Sequence, residues 1–147
     1  MFKHILIPTD GSPVAAKAIK AGIALAKEMG ADVTGYYAIE PAPTHIYGEG
    51  YLADKRLVDE LDRRAREVGL RAVDAVARAA KSAGVKCDTV VDKAVQPYLG
   101  IVDAAHKHEC DAIFMASHGH RGLTGLLLGS VTQRVLTHSK TPVLVFR

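Results

Sequence analysis

Apolar residues alternate along the chain between short continuous runs and rhythms of three and four. Residues 3–8 (KHILIP) form a run of strand length ended by Pro8, the pattern of a strand covered on both faces. Thr9, Asp10, Gly11, Ser12 and Pro13 follow as a turn. Ser12 suits a helix N-cap, and Pro13 the first helical position, where a missing N–H is no loss. Ala16, Ile19, Ile23 and Ala26 then give one apolar helix face, closed by Gly30. Residues 33–39 predict a second strand rich in Val, Thr and Tyr, weakened by Gly35. Residues 40–50 (EPAPTHIYGEG) hold two prolines and two glycines and predict a loop of the length that lids use.

A long helix comes next, with Leu57, Leu61, Ala65, Val68, Ala72, Val76 and Ala79 as its expected buried stripe and Gly84 as its stop. Residues 87–91 predict a third strand, and Pro97 opens a helix reaching about residue 108. Residues 111–116 (DAIFMA) lack alternation, as expected of a central strand. Residues 129–139 predict a last helix, and PVLVF, from Pro142 to Phe146, a fifth strand. Strand and helix alternate over all 147 residues with no linker or repeat. The expected architecture is therefore a single α/β domain, 1–147: a doubly wound, five-stranded parallel sheet with helices on both faces. The fifth strand, last and apolar, is expected at a sheet edge. Such an edge invites antiparallel pairing with a second copy, so a homodimer through Pro142 to Phe146 is expected.

Composition narrows the function classes. The chain is 48% hydrophobic and 24% charged, the balance of a globular domain rather than a disordered one. No apolar run approaches the ~20 residues of a membrane span. Pro8 and Asp10 interrupt the N-terminal run too early for a signal peptide. Two cysteines, Cys87 and Cys110, make no disulfide framework or metal spacing. A cytoplasmic protein with reduced thiols and no membrane partner is expected. The net charge is +3, but much of the basic charge is matched locally. Asp59, Glu60, Asp62, Glu67 and Asp74 each precede an arginine by four residues: Arg63, Arg64, Arg66, Arg71 and Arg78. These are acid-first helix pairs on a solvated face. With no tryptophan and 5% aromatics, no stacking platform for nucleic acid exists.

Chemistry concentrates in two loops. In open parallel sheets, ligands bind beyond the carboxyl ends of strands where the strand order reverses. One candidate loop is Pro8, Thr9, Asp10, Gly11 and Ser12. The other, after the fourth strand, reads SHGHRGLTGLLLG from Ser117 to Gly129, followed by Ser130. Gly119, Gly122, Gly125 and Gly129 allow close backbone approach. Gly129 and Ser130 lead into a helix, whose free N–H groups and positive dipole end favour phosphate. Neither a Walker loop nor a GxGxxG fingerprint is present.

These stretches, with HILIPTDGS, ASHG, LLLGSVT and TPVLVF, make the whole chain resemble the universal stress protein family. Its nucleotide-binding members carry G-x2-G-x9-G-[ST] after the fourth strand. Gly119, nine residues, then Gly129 and Ser130 fit that pattern, while Ala116 stands at its first glycine. The resemblance implies a Rossmann-like fold of the adenine nucleotide alpha-hydrolase type. It also implies binding of ATP or AMP, with Mg2+ accompanying ATP, and dimerisation through the fifth strand. Carried over by position, Pro8, Thr9, Asp10 and Ala38 face adenine and ribose. Met115, Ala116 and His118 flank the nucleotide. Gly119, Gly129, Ser130, Val131 and Thr132 wrap the phosphates, with hydroxyls from Ser130 and Thr132 and backbone N–H groups from Gly129 and Ser130. Arg121 reads equally as a phosphate clamp or a solvated charge. Glycine at a strand end opens the backbone to a ligand, and the Ala116 methyl is expected to narrow that floor rather than close it.

No catalytic residue is assigned. Ser12 and Ser130 lack a GxSxG elbow. His4, His45, His106, His108, His120 and His138 show no metal or triad spacing and read as surface residues. The expected function is a nucleotide-binding stress-response sensor or switch. A slow ATPase and a dimeric scaffold without nucleotide are the alternatives.

Overall fold

A computed structural model describes residues 1–41, 55–120 and 128–147. The sheet contains β1 (His4–Pro8), β2 (Asp32–Ile39), β3 (Cys87–Lys93), β4 (Ala112–Ala116) and β5 (Val143–Phe146). All neighbouring strands are parallel, in the order β3-β2-β1-β4-β5. The order reverses between β1 and β4, as a doubly wound sheet requires. The helices are α1 (Pro13–Met29), α2 (Lys55–Ala83), α3 (Pro97–Lys107) and α4 (Ser130–His138). No described helix is long and apolar enough to cross a membrane.

Two cores lie on opposite faces of the sheet. Ile5, Ile7 and Phe114 pack with α1 and α2, among Ile19, Ile23 and Val76. Leu6, Ile113 and Met115 pack on the other face with Tyr36, Ile101 of α3 and Val135 of α4. Alternate residues of one strand thus serve both cores, which is why β1 and β4 read as unbroken apolar runs. The caps of α1 form as its sequence predicts. Ser12 Oγ accepts from the Ala15 N–H at 3.1 Å, and Gly30 takes the left-handed conformation at φ 65°. The buried face of α1 is turned slightly from the expected one: Ala15, Ala18 and Gly22 are inside, while Ala16 is exposed.

The long helix departs further from its expected pattern. Ala72 and Val76 are buried, together with Gly69, Val73 and Ala80, but Leu57, Leu61 and Val68 are exposed, and Ala65 and Ala79 are half-buried. Only the C-terminal half of α2 carries the buried residues. Of the expected acid-first pairs, Glu60–Arg64 and Asp74–Arg78 form at 2.7 and 2.9 Å. Glu67 instead holds Arg63, and Asp62 reaches Lys93 of β3 at 2.5 Å. The expected loop 40–50 lies, beyond its first two residues, outside the described residues. So do His45, Arg121, Gly122 and Gly125.

Gly35, which weakens β2 as a sequence, is what lets α2 approach it. A Cβ at Gly35 would stand 2.9 Å from Val76 Cβ and 3.1 Å from its Cγ1. Val76 is fully buried. Gly35→Ala is therefore expected to destabilise the fold by about 1–3 kcal/mol through overpacking. Thermal unfolding reads this as a drop of several degrees, and an unchanged midpoint would show that α2 is free to shift.

Candidate functional site

The crevice at the reversal of strand order is built by the loop after β1 and the segment after β4. Pro8 closes β1, and the Thr9 N–H donates to Tyr36 O at 2.9 Å, fixing where the chain leaves the sheet. Thr9 is buried, and its Oγ1 accepts from the Gly11 N–H at 3.1 Å. Gly11 has φ 78°, so glycine is needed to turn the chain into α1. Asp10 lies at the centre. Its Oδ1 accepts from the Ser12 N–H at 2.9 Å and its Oδ2 from the His120 N–H at 2.8 Å. The His120 ring returns to Asp10 O through Nε2 at 3.0 Å. One carboxylate therefore ties the β1 loop to the β4 loop.

Gly119 exists for this tie. A Cβ there would fall 2.1 Å from Asp10 Oδ2, so a side chain at this position would displace the carboxylate or the loop. Gly129 is constrained similarly: a Cβ would approach His118 Cα to 3.0 Å and Ser117 O to 3.3 Å. Both glycines singled out by the sequence have steric reasons internal to the protein.

The remaining expected residues divide by what their polar groups already do. The Gly129 N–H donates to Ser117 O at 2.8 Å, within the loop. The Thr132 hydroxyl is buried and donates to Ala116 O at 2.9 Å, anchoring α4 to the end of β4. Met115 is 5% exposed, with its side chain in the core beneath α3 and α4. Ala116 is partly buried and packs toward the α1 and α2 face, whereas Ala38 and Val131 pack on the α3 and α4 face. His118 Nδ1 pairs with Ser117 Oγ at 2.9 Å. Ser130 is exposed. As the first three residues of α4, Ser130, Val131 and Thr132 have N–H groups without an intrahelical acceptor, at the positive end of the helix dipole.

Two site residues escape the sequence reading. His120 reads as a surface histidine, yet it grips Asp10; the contact joins two loops far apart in sequence, so no local spacing announces it. Arg71 of α2 reads as the i,i+4 partner of Glu67, but it lines a cleft of about 310 Å³ with Thr9, Asp10, Ser12 and His120.

Burial by itself would raise the Asp10 carboxyl. Hydrogen bonds from Ser12 and from the His120 N–H outweigh it and hold the group below its ordinary value of 3.8. A carboxylate depressed in the folded state stabilises the fold above its unfolded pKa, and that contribution is lost as the pH falls through the folded value. Asp10→Asn should thus lower stability near pH 6, by an amount that shrinks progressively as the pH falls below about 4. Denaturant unfolding from pH 6 into the acid range checks it; a gap between variant and wild type that does not narrow below about pH 4 would contradict the assignment. Among the described residues, no group of three or more His, Cys, Asp or Glu side chains could hold a metal ion. Burial pushes the Cys110 thiol up to about 11, which suits no thiolate chemistry.

Comparison with known proteins agrees with this architecture. The profile described as "Universal stress protein family" matches residues 1–147. Universal stress protein MJ0531 from Methanocaldococcus jannaschii is 38% identical over 148 residues, covering 100% of this chain and 83% of the relative. Among solved structures, hypothetical protein MJ0577, the subject of a structure-based assignment of biochemical function, superimposes with a TM-score of 0.81 at 29% identity, over 99% of this chain and 95% of that one. A universal stress protein in complex with cAMP gives 0.71 at 25% identity over 99% and 97%. One from Archaeoglobus fulgidus in complex with dAMP gives 0.63 at 16% identity over 100% and 98%, a likeness of fold. With its strand order, its Asp10-centred crevice and a match over its full length, the chain belongs to the universal stress protein family.

Proposed function

We propose that the protein is a cytoplasmic stress-response module that binds an adenine nucleotide, ATP or AMP, in the crevice between the β1 loop and α4. The observation that carries this reading is the N-terminus of α4. Three N–H groups without intrahelical acceptors stand there, in the segment that Thr132 anchors to the end of β4. This is the arrangement that receives a phosphate. The exposed Ser130 hydroxyl adds a donor. Ala38 and Val131 lie toward the same face of the sheet and offer apolar surface to a base. Asp10 keeps a second lone pair on each carboxylate oxygen for ribose hydroxyls. The complexes of relatives with cAMP and dAMP support the ligand class. Mg2+ would arrive with ATP, held through its phosphates. As a dimer, two copies would pair antiparallel along β5.

Identification by mass spectrometry of the small molecule released from purified protein tests the reading, with calorimetry to follow. An adenine nucleotide at up to one per chain is expected. Protein that is empty and silent toward saturating ATP and AMP would leave the scaffold reading in its place. The Ala116 methyl packs toward the α1 and α2 face, away from Val131 and α4. Ala116→Gly is accordingly expected to change ATP affinity by less than about threefold, under 1 kcal/mol. A gain of a hundredfold would show that the methyl blocks the site.

A further inference from the structure

Resting on the nucleotide reading of the crevice, we propose that His120 is a positioning residue that makes the site select ribonucleotides over deoxyribonucleotides, by holding Asp10 where its carboxylate reads the 2′,3′-diol. The two loops are joined by a reciprocal pair of bonds. The His120 N–H donates to Asp10 Oδ2 at 2.8 Å, and the ring Nε2 donates to Asp10 O at 3.0 Å. A carbonyl oxygen only accepts, so Nε2 carries the proton in this contact. One bond alone would leave the loops free to pivot about it. Two bonds, one to the backbone and one to the side chain of the same residue, fix both the peptide and the carboxylate that hangs from it. Ser12 adds a third, its N–H donating to Asp10 Oδ1 at 2.9 Å.

What Asp10 has left to offer selects the sugar. Each carboxylate oxygen accepts one backbone N–H and keeps a lone pair. Burial raises the carboxyl, but the bonds from Ser12 and His120 outweigh it, so the group is ionised at neutral pH and can only accept. Asp10 is half-buried and lines the cleft of about 310 Å³ together with His120, which gives a partner room to reach it. The 2′- and 3′-hydroxyls of ribose are adjacent and cis, two O–H donors on the spacing of one carboxylate. A deoxyribose brings one donor and leaves the other oxygen's lone pair unmet in a half-buried place. Bonds to a charged acceptor are about twice as strong as neutral ones, so the second hydroxyl carries real discrimination. Selection requires both oxygens to face the sugar at once, and the imidazole removes the pivoting that would let one of them turn away.

The test is calorimetry with AMP, 2′-deoxy-AMP and 3′-deoxy-AMP on wild type, His120→Ala and His120→Gln. Wild type is expected to bind AMP about tenfold tighter than either deoxynucleotide. His120→Ala keeps the backbone N–H and loses the ring bond, so the preference should fall to about threefold or less, with affinity for the deoxynucleotides little changed. Glutamine places an amide donor near the reach of Nε2, and His120→Gln should recover the preference. His120 is exposed, so both variants keep the fold. A role in loop structure alone would weaken all three nucleotides alike and leave the preference intact. That result, or a preference lost equally with glutamine, would overturn the positioning role while nucleotide binding stands. Equal affinity of wild type for the three nucleotides would overturn it as well. Silence toward all three would remove the nucleotide reading itself, and this selection with it.

Discussion

Gly119→Ala is expected to lower ATP affinity at least tenfold, about 1.4 kcal/mol, in a protein whose sheet and helices stay intact. The added methyl would stand 2.1 Å from Asp10 Oδ2 and 3.1 Å from Asp10 Cγ, so the carboxylate or the loop must move. Either movement breaks the bond from the His120 N–H to Asp10 and opens the crevice that the two loops form. The substitution lies outside both cores, so far-ultraviolet dichroism should not change. Losing the charge-assisted bond should still cost about 1–3 kcal/mol of stability. A double-mutant cycle separates the steric cause from a general loop effect. In an Asp10→Ala background the clash is gone, and Gly119→Ala should then add little to the stability loss. Wild-type affinity in Gly119→Ala, or full additivity in the cycle, would remove Asp10 from the position assigned to it.

Val145→Pro is expected to weaken the proposed dimer at least thirtyfold, about 2 kcal/mol. β5 is an edge strand, hydrogen-bonded to β4 on one side. The Ile113 N–H donates to Pro142 O at 2.8 Å and the Ser117 N–H to Phe146 O at 2.7 Å. Strand groups alternate in direction, so residues 142, 144 and 146 face β4, and Val143 and Val145 present their N–H and C=O groups outward. Proline at Val145 removes an outward donor while sparing the ladder to β4. Proline at Leu144 would strike that ladder instead and confuse dimer loss with unfolding. In a two-fold pairing the lost bond counts twice. Light scattering at tens of micromolar should find wild type dimeric and Val145→Pro monomeric. A monomeric wild type, or a dimer indifferent to proline at Val145, would place any contact elsewhere.

The order of elements was legible because each is marked locally. Pro13 and Ser12 start α1, Gly30 ends it, and the unbroken apolar run of β4 announces a strand covered on both faces. The edge position of β5 followed from its place in the chain and holds. The buried stripe of α2 was misplaced because amphipathic periodicity cannot tell how far along a helix the sheet extends. Its N-terminal half repeats the same spacing, with Leu57 and Leu61 on the exposed surface. Glycines were legible as glycines but not by their reasons. Gly35 makes room for Val76 and Gly119 for Asp10, two pairings that only the folded chain brings together. His120 and the spent hydroxyl of Thr132 were missed for the same cause: a hydrogen bond between loops, or from a helix to a strand end, has no signature in spacing.

The central claim is that an adenine nucleotide sits at the carboxyl ends of β1 and β4 against the first turn of α4. Titration of isotope-labelled protein with AMP, followed by amide shifts, tests it most directly. Saturable one-to-one shifts at residues 9–12 and 130–132 are the predicted result, largest at the N–H groups of Ser130 and Val131. No shifts at saturating AMP, or shifts confined to residues outside both segments, would contradict it.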